Sequence, residues 1–332
     1  MLGAGSWGTA VASISARSAP TVLWARRPEL ADEVNSRHVN LRYLPEVVLP
    51  AELTATSAIE QAVEGAGTVV MAVPSHGFRS IFEQVAPLVG LGVPVVSLTK
   101  GLEQGSLKRM TEVALELLPG HPVGVLTGPN LAHEVVAGQP TASVVALTDP
   151  EPARAVQGLL STETFRVYTN TDVVGCEMAG ALKNVIAIAA GMADGMGLGD
   201  NSKAALLTRG LAELSRLGVA MGGQPLTFAG LAGMGDLVAT CMSRQSRNRH
   251  VGHELGRGRP VADVLGEMTM VAEGVKTAPS VLVLAERYGV DVPIATQVTD
   301  VLAGRCTAAE VIPALMRRQV KGELDGLGGG RQ

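Results

Sequence analysis

The N-terminal loop carries a pattern that can bind phosphate groups. Gly3, Gly5 and Gly8 follow the spacing G-x-G-x-x-G, and a helical pattern begins directly after them. In dinucleotide-binding folds the first glycine permits a tight turn, the second lets the backbone approach a pyrophosphate, and the third lets the helix pack closely on a strand. The helix start, with its free N–H groups and its dipole, attracts phosphates. Because strands and helices alternate after it, the loop predicts a site for a nicotinamide dinucleotide, with Ser6 and Trp7 among its contacts. The alternative is a glycine-rich turn that binds no ligand.

Two arginines predict which dinucleotide is preferred. The second strand of this fold usually ends in an acidic residue that binds the ribose hydroxyls of NAD, whereas arginine accommodates the extra phosphate of NADP. Here Arg26 and Arg27 follow the predicted strand, and no acidic residue precedes Glu29. The pair therefore favours NADP(H) and leaves NAD(H) possible, unless both arginines are simply solvated at a helix start.

Lys183 is a candidate proton donor. Its neighbours one helical turn away, Ala179, Gly180 and Ala187, are small and leave room for the amine in a confined site. An ammonium there can stabilise and protonate an oxygen on which negative charge develops, as when a hydride reaches a carbonyl carbon. A buried lysine is costly without partners, and Asp236 is a candidate partner, although it could instead cap a helix. A surface lysine whose amine reaches solvent is the alternative.

Two other places predict recognition of a phosphate monoester. Ser246-Arg247-Asn248 opens a helical segment, so that a hydroxyl, a guanidinium, an amide and backbone N–H groups converge there. Lys100 follows a strand in a Thr-Lys-Gly turn, at the edge where parallel α/β sheets bind ligands. A helix cap with a solvated arginine and a surface loop lysine are the respective alternatives. Cys176 and Cys241 are expected to be packing residues, because no histidine base is apparent for either.

The elements that must position these residues fall into two groups. Short β-branched runs alternate with amphipathic helical segments up to about residue 170, which predicts a parallel sheet covered on both faces. The predicted strands are Thr21–Ala25, Thr68–Val73, Val93–Leu98, Val123–Thr127, Ala142–Leu147 and Phe165–Tyr168. Beyond Asn170 the patterns are helical. The fold class is therefore α/β, with a Rossmann-type domain over residues 1–170, an all-helical domain over 171–325 and a disordered tail over 326–332.

The first strand of this sheet is unusually short in the sequence. A buried strand normally runs about 5–6 residues before the first glycine of such a loop, yet only Met1 and Leu2 precede Gly3. Either the strand is truncated or the natural start lies upstream of Met1, and a truncated central strand is expected to weaken the fold.

Composition excludes several classes of protein. A chain of 332 residues is too long for one compact core, and its net charge of −4 gives no basic surface for nucleic acid. The 3 cysteines form no C-x-x-C pair, which suits a reducing cytoplasm and indicates no metal site. The most apolar run, Val185–Ala193, is about half as long as a membrane-spanning helix. We expect a cytoplasmic protein without a membrane span.

Several stretches together resemble the bacterial NAD(P)-dependent glycerol-3-phosphate dehydrogenases, in that family's order and over nearly the whole chain. They are Gly3–Ala10, Ser97–Gly101, Leu126–Asn130, Ala181–Asn184, Gly233–Asp236 and Gln245–Asn248. The resemblance implies reversible reduction of dihydroxyacetone phosphate to sn-glycerol 3-phosphate, the backbone of phospholipids. It implies a small phosphotriose as the partner molecule and makes a homodimer possible.

The resemblance also implies roles for particular residues. In that family the lysine matching Lys183 donates and accepts the proton. The substrate positions match Lys100, Gly128, Asn130, Lys183, Asn184, Asp236, Ser246, Arg247 and Asn248. The cofactor positions match Lys100, Ala132, Arg247, Val271 and Glu273, besides the glycine loop and the arginine pair. Asn130 stands where many relatives carry Ser or Thr; because its amide can also donate and accept, little change is expected.

Two other functions compete with this one. A 3-hydroxyacid or 6-phosphogluconate-type dehydrogenase shares the architecture and has a lysine on its first long helix. A non-catalytic NADP-sensing module would keep the fold without turnover. Gly235-Asp236 and Ser246-Arg247-Asn248 favour the phosphotriose substrate, and the intact Lys183 argues against the sensing module.

Overall fold

The β-branched runs of the first half form a twisted sheet, and the second half is helical. The computed structural model describes residues 1–45, 47–268, 272–320 and 322. The chain divides into two units, Met1–Val173 and Val174–Gln332. Each unit is built around its own elements, and the predicted tail at 326–332 lies outside the described residues.

The first unit contains the strands. They are β1 (Thr21–Trp24), β2 (Leu53–Thr56), β3 (Val69–Met71), β4 (Val95–Ser97), β5 (Val123–Thr127), β6 (Thr141–Leu147) and β7 (Phe165–Asn170). Its helices are α1 (Ser6–Ser15), α2 (Pro28–Arg37), α3 (Ile59–Val63), α4 (Ser75–Val85), α5 (Met110–Leu117), α6 (Ala132–Val136) and α7 (Pro150–Leu160). The alternation of strand and helix confirms a Rossmann-type unit.

The residues before the glycine loop lie in the middle of this sheet. β1 pairs with β2, and the other strands follow in the order β3-β4-β5-β6-β7. Leu2 forms parallel bridges to Trp24 on one side and to Met71 on the other, and so joins the two groups. The Leu2 amide donates to the carbonyl of Val70 at 2.8 Å, and the Gly3 amide donates to that of Trp24 at 3.1 Å. A very short stretch therefore takes the position of the first strand.

Two strands differ from the parallel arrangement that the sequence predicts. β5 and β6 pair antiparallel, while β6 and β7 are parallel to each other. The reason lies in the connection from β5 to β6, whose helix α6 has only 5 residues. A parallel return normally runs through a full helix, such as the 11-residue α7 between the parallel strands β6 and β7. Strand β2 was not predicted at all, because Leu53-Thr54-Ala55-Thr56 is short and half polar.

Helices cover both faces of the sheet, as the sequence predicts. Along β3, Val69 and Met71 belong to one hydrophobic cluster, which includes Phe78 and Phe82 of α4. Val70, between them, points into the other cluster, which includes Val11 of α1. Alternate residues of a strand point to opposite faces, so this division shows that both faces are buried.

The second unit is helical throughout its described elements. They are α8 (Val173–Gly195), α9 (Asp200–Ala220), α10 (Pro225–Ala229), a π-helical turn (Leu231–Gly235), α11 (Asp236–Met242), α12 (Arg247–Gly256), α13 (Val261–Glu267), α14 (Glu273–Arg287), α15 (Pro293–Leu302) and α16 (Ala308–Met316). Helix α8 has the length and hydropathy of a membrane span, but 89% of its most apolar window is buried inside the protein. It is thus the core helix of this unit.

Candidate active site

The three glycines of the N-terminal loop are needed for different reasons. Gly3 has a φ of 118°, and a Cβ there would lie 2.6 Å from the carbonyl oxygen of Ala72. A Cβ on Gly8 would lie 2.0 Å from the carbonyl oxygen of Gly3. Gly5, in contrast, is extended with a φ of −71°, and a Cβ there would have nothing within 4 Å. The protein's own packing explains Gly3 and Gly8, whereas Gly5 keeps open a space that a ligand can approach closely.

The start of α1 is suited to bind phosphate. Gly5 is its N-cap residue, and no described side chain caps the helix or places a negative charge in its first turn. The Ser6 hydroxyl donates to the carbonyl of Tyr43 at 2.7 Å, so it fixes the loop rather than filling the space over it. The Trp7 indole packs on Phe165 with ring centroids 6.2 Å apart. The backbone N–H groups at this helix start are therefore of the kind that binds anions.

Asn40 supports the loop from beneath, a role that was not predicted from the sequence. Its side chain is fully buried. Its Nδ2 donates to the carbonyl of Ala4 at 3.0 Å and to the hydroxyl of Thr9 at 2.9 Å. Its Oδ1 accepts from the amide of Tyr43 at 3.2 Å. Because Asn40 lies far along the chain from the glycines, no local pattern links it to them.

The two arginines that the sequence analysis singled out lie between β1 and α2. Arg26 and Arg27 follow β1 after the buried Ala25, and both are exposed. Arg27 is the N-cap residue of α2, and Glu29 in the first turn of that helix is the first acidic residue after the strand. The structure thus places two exposed arginines after β1 and before the first acidic residue.

Lys100, Gly128 and Asn130 come from neighbouring strand ends of the first unit. The Lys100 amine donates to the carbonyl of Gly128 at 3.0 Å. Gly128 has a φ of 136°, and a Cβ there would lie 3.2 Å from the Cα of Ser143. Both amide atoms of Asn130 are buried and have no hydrogen-bond partner among the described residues. Buried polar atoms are nearly always satisfied in folded proteins, so the Asn130 amide indicates a ligand position.

Lys183 is buried and held by two side chains. The residue is only 4% exposed. Its Nζ lies 2.5 Å from Oδ1 of Asp236 and 2.5 Å from the hydroxyl of Thr240. The Thr240 hydroxyl is also 3.3 Å from the same carboxylate oxygen. A solvent-exposed lysine is thereby ruled out, and the amine has a fixed direction.

Asp236 acts as the partner of the lysine rather than as a helix cap. It is the first residue of α11, the N-cap position belongs to Gly235, and no side chain caps the helix. Thr240 was missed in the sequence, although it lies one turn after Asp236 on the same face of α11, a spacing at which helical side chains meet.

The residues at the start of α12 are already hydrogen-bonded to the protein. The Ser246 hydroxyl caps the helix by accepting from the amide of Arg249 at 3.2 Å. Asn248 donates from Nδ2 to Oδ1 of Asn184 at 3.0 Å and accepts at its own Oδ1 from the amide of Gly274 at 2.9 Å. Asn248 therefore ties α12 to α8 and to the start of α14.

Arg247 and Glu273 carry opposite charges that attract each other. Desolvation lowers the pKa of Arg247 from its ordinary value, and the charge of Glu273 opposes that shift. Ala132 is the first residue of α6 and presents backbone rather than a functional side chain. Val271 lies outside the described residues.

Comparison with known proteins identifies the family. The model of the NAD-dependent glycerol-3-phosphate dehydrogenase N-terminus matches residues 1–153. The model of the NAD-dependent glycerol-3-phosphate dehydrogenase C-terminus matches residues 172–313. The chain belongs to this family.

Individual relatives support the same conclusion over the full length. Glycerol-3-phosphate dehydrogenase [NAD(P)+] 2 of Sphingopyxis alaskensis is 57% identical over 97% of this chain and 97% of the relative. Glycerol-3-phosphate dehydrogenase [NAD(P)+] of Mycobacterium avium is 50% identical over 99% of this chain and 96% of the relative. The crystal structure of glycerol-3-phosphate dehydrogenase from Coxiella burnetii has a TM-score of 0.91 and 37% identity, covering 96% of this chain and 98% of that one.

In this dehydrogenase the helix that carries Lys183 and the helix that carries Arg247 cross at backbone contact. A Cβ on Gly191 of α8 would lie 2.0 Å from the carbonyl oxygen of Arg249 in α12. A Cβ on Gly252 of α12 would lie 1.9 Å from the carbonyl oxygen of Ile188 in α8. Gly195 and Gly256 continue the same contact. Glycine at these four positions therefore sets the distance between α12, which carries Arg247, and α8, which carries Lys183.

An ion pair secures the same crossing. Oδ2 of Asp194, in α8, accepts from Nε of Arg249 at 2.8 Å and lies 2.6 Å from Nη2 of the same guanidinium. Lys203 of α9 approaches the other oxygen of Asp194 at 3.4 Å. Since Arg249 follows Asn248 directly, this pair orients the first turn of α12.

The cysteines near the lysine are not nucleophiles. Burial raises the pKa of Cys241 to about 12, so its thiol is protonated at neutral pH. Cys176 is fully buried in α8. Thiolates rather than thiols are nucleophilic, which agrees with the packing role expected for both.

Proposed function

We propose that this protein catalyses the reversible reduction of dihydroxyacetone phosphate to sn-glycerol 3-phosphate with NAD(P)H. The observation that carries the proposal is the buried Lys183, whose amine is fixed by Asp236 and Thr240. A ketone reduction needs a proton donor at the carbonyl oxygen, and this triad is built for that task. Full-length relatives that bear this enzyme's name support the choice of substrate.

The glycine loop supports binding of the cofactor. The space over Gly5 and the uncapped start of α1 fit a pyrophosphate. A bulky side chain at position 5 would fill that space. When bound, the nicotinamide supplies or accepts the hydride. Arg26 and Arg27 would receive the 2′-phosphate, so NADP(H) is preferred over NAD(H).

Lys183 performs the proton transfer. As negative charge develops on the C2 oxygen of the ketone, the ammonium stabilises that oxygen and gives it one proton, which forms the alcohol. In the opposite direction the neutral amine takes the proton back. Asp236 and Thr240 hold the amine in one direction in both cases, and little reorganisation is needed at the moment of reaction.

The remaining predicted residues bind the substrate. In the second unit Ser246, Arg247 and Asn248 hold the phosphate at the start of α12, where a guanidinium and backbone N–H groups favour an anion. Asn184 orients Asn248 through their hydrogen bond. In the first unit Lys100, Gly128 and Asn130 offer an amine, a carbonyl and an unsatisfied amide. Ala132, Val271 and Glu273 are assigned to the cofactor because they match cofactor positions of the family.

The product supplies the backbone of glycerophospholipids, a role consistent with the family. We assign the enzyme to the cytoplasm, and the family resemblance makes a homodimer possible.

The test follows the oxidation of NADPH and of NADH with dihydroxyacetone phosphate by the loss of absorbance of the reduced nicotinamide. Lys183→Ala should lower kcat by about 10²- to 10⁴-fold, the contribution of a positioned general acid, and leave NADPH affinity near that of the wild type. Arg154→Ala, which removes an exposed cation from a surface ion pair with Glu151, is the control and should stay within about twofold.

Several outcomes decide between the functions. Folded wild-type protein that oxidises neither cofactor with this ketone would exclude the proposed activity. Turnover with a 3-hydroxyacid or with 6-phosphogluconate in its place would establish the competing dehydrogenase. NADPH binding without turnover of any of these substrates would identify a sensing module.

A further inference from the structure

The loop that carries Lys100 has to hold a long, flexible side chain in one place. It runs from the end of β4 to the start of α5 and places the Lys100 amine 3.0 Å from the carbonyl oxygen of Gly128. At its beginning the Thr99 hydroxyl donates to the carbonyl of Val73 at 2.7 Å. Leu102 is buried and bridges to Arg109. The loop is thus anchored to the sheet before Lys100 and closed on itself after it.

Glu103 connects the closed part of the loop to helix α4. Its two carboxylate oxygens accept from Nε and from one terminal nitrogen of Arg79 at 2.7 and 2.9 Å. The Ser106 hydroxyl donates to the same carboxylate at 2.5 Å. The hydrogen bonds from Arg79 hold the pKa of Glu103 below its usual value. A bidentate arginine–carboxylate pair fixes geometry better than a single contact between charges.

The backbone of the loop needs such support. Leu107 has a φ of 61°, in the left-handed region that is strained for a branched residue. Its amide donates to the carbonyl of Glu103 at 2.9 Å, and the Glu103 amide donates to the carbonyl of Lys108 at 2.9 Å. A strained residue persists only where its surroundings over-determine it. Glu103 makes both of these backbone contacts, and its side chain binds Arg79 and Ser106, so it ties the strained turn to α4.

We propose that Glu103, held by Arg79, is a positioning residue for Lys100. It touches no reacting group; it keeps the loop in the conformation from which the Lys100 amine reaches the position beside Gly128. The inference rests on the proposed function in that Lys100 is taken to bind the substrate. Its removal should weaken substrate binding more than it slows the chemical step.

The structure offers a matched control for this proposal. Arg79 also contacts Glu116 of α5, at 3.2 and 3.4 Å. Glu103→Gln and Glu116→Gln each remove one charge from the same guanidinium, but Glu103 alone of the two lies on the Lys100 loop. Glu103→Gln should raise the KM for dihydroxyacetone phosphate about threefold to tenfold with a smaller change in kcat, whereas Glu116→Gln should leave KM within about twofold.

A double-mutant cycle separates positioning from general destabilisation. Arg79→Met should raise KM as Glu103→Gln does, and the double variant should be no worse than the more affected single one, because both remove the same contact. Equal KM values for Glu103→Gln and Glu116→Gln, or additive effects in the double variant, would overturn the proposal.

A second measurement does not depend on turnover. Hydrogen exchange of the peptide that spans residues 98–107 should be faster in Glu103→Gln than in wild type and unchanged in Glu116→Gln, because Glu116 contacts the loop through the exposed side chain of Lys108. Unchanged exchange in both variants would refute the positioning role. If wild type has no activity with the ketone but the exchange result holds, the proposed function fails while the structural role of Glu103 stands.

Discussion

The backbone contact between α8 and α12 predicts that one added methyl group will strongly lower the activity of the enzyme. In Gly191→Ala the new Cβ would lie 2.0 Å from the carbonyl oxygen of Arg249, which is 1.4 Å short of the 3.4 Å at which ordinary contact begins. A backbone carbonyl inside a helix cannot rotate away. The helices therefore have to separate by about an ångström.

The magnitude follows from two opposing effects. Alanine stabilises an isolated helix by about 1 kcal/mol relative to glycine, while overpacking a well-packed interior costs roughly 1–3 kcal/mol. We expect a modest net loss of stability. The loss of activity should be larger, because α8 carries Lys183 and α12 carries Arg247 and Asn248. A misplacement of about 1 Å can cost about 10²-fold in rate.

The assay compares Gly191→Ala with a helical glycine that has room. Gly158 lies in α7, and a Cβ there would meet nothing within 4 Å. Gly158→Ala should keep full activity and melt at the same or a slightly higher temperature. Gly191→Ala should lower kcat about a hundredfold and melt lower. A Gly191→Ala enzyme with kcat within about twofold of wild type would refute the argument that this contact sets the geometry of the site.

The remaining predictions concern pH and cofactor choice. Burial raises the pKa of Glu213 to about 7 against two backbone hydrogen bonds, from Ile294 and Ala295, that lower it. The folded state therefore holds a proton that the unfolded state releases, and stability should fall by up to about 3 kcal/mol between about pH 5 and pH 8. Urea unfolding at the two pH values should show that the free energy of unfolding depends less on pH in Glu213→Gln than in wild type. An equal pH dependence in the two proteins would exclude Glu213 as the cause. Arg26→Ala combined with Arg27→Ala should weaken NADPH about tenfold or more and NADH little, and equal losses would remove the case for NADP.

Most of the first unit could be predicted because its signals are local. Strands such as Val123–Thr127 show as β-branched runs, and the glycine loop shows as a spacing within eight residues. The direction of β6 could not be predicted from its own residues, which suit either orientation. It depends on the shortness of α6, and that length is evident only once the helix is placed.

The candidate site was predictable where a residue's type carries its chemistry. Lys183 is recognisable as an ammonium in a small-residue helix, and Asp236 as an acid in a stretch that resembles a family motif. Thr240 and Asn40 are not, because a hydroxyl or an amide fits many environments and their partners are distant in sequence. The spacing Gly191-x-x-x-Gly195 could have suggested a close helix contact, but it does not say which helix approaches.

The hydrogen bonds of the site explain why so many polar residues can be buried near one position. Ser246 caps its own helix, Asn248 joins three helices, and Lys183 is paired with Asp236. Each group is thus satisfied before any substrate arrives, which offsets the cost of burying it. The same bonds aim the remaining hydrogens and lone pairs, so the substrate meets groups that are already oriented. Asn130 differs, because its buried amide has no partner among the described residues. On this argument Asn130 is the residue whose hydrogen bonding must change most when substrate binds.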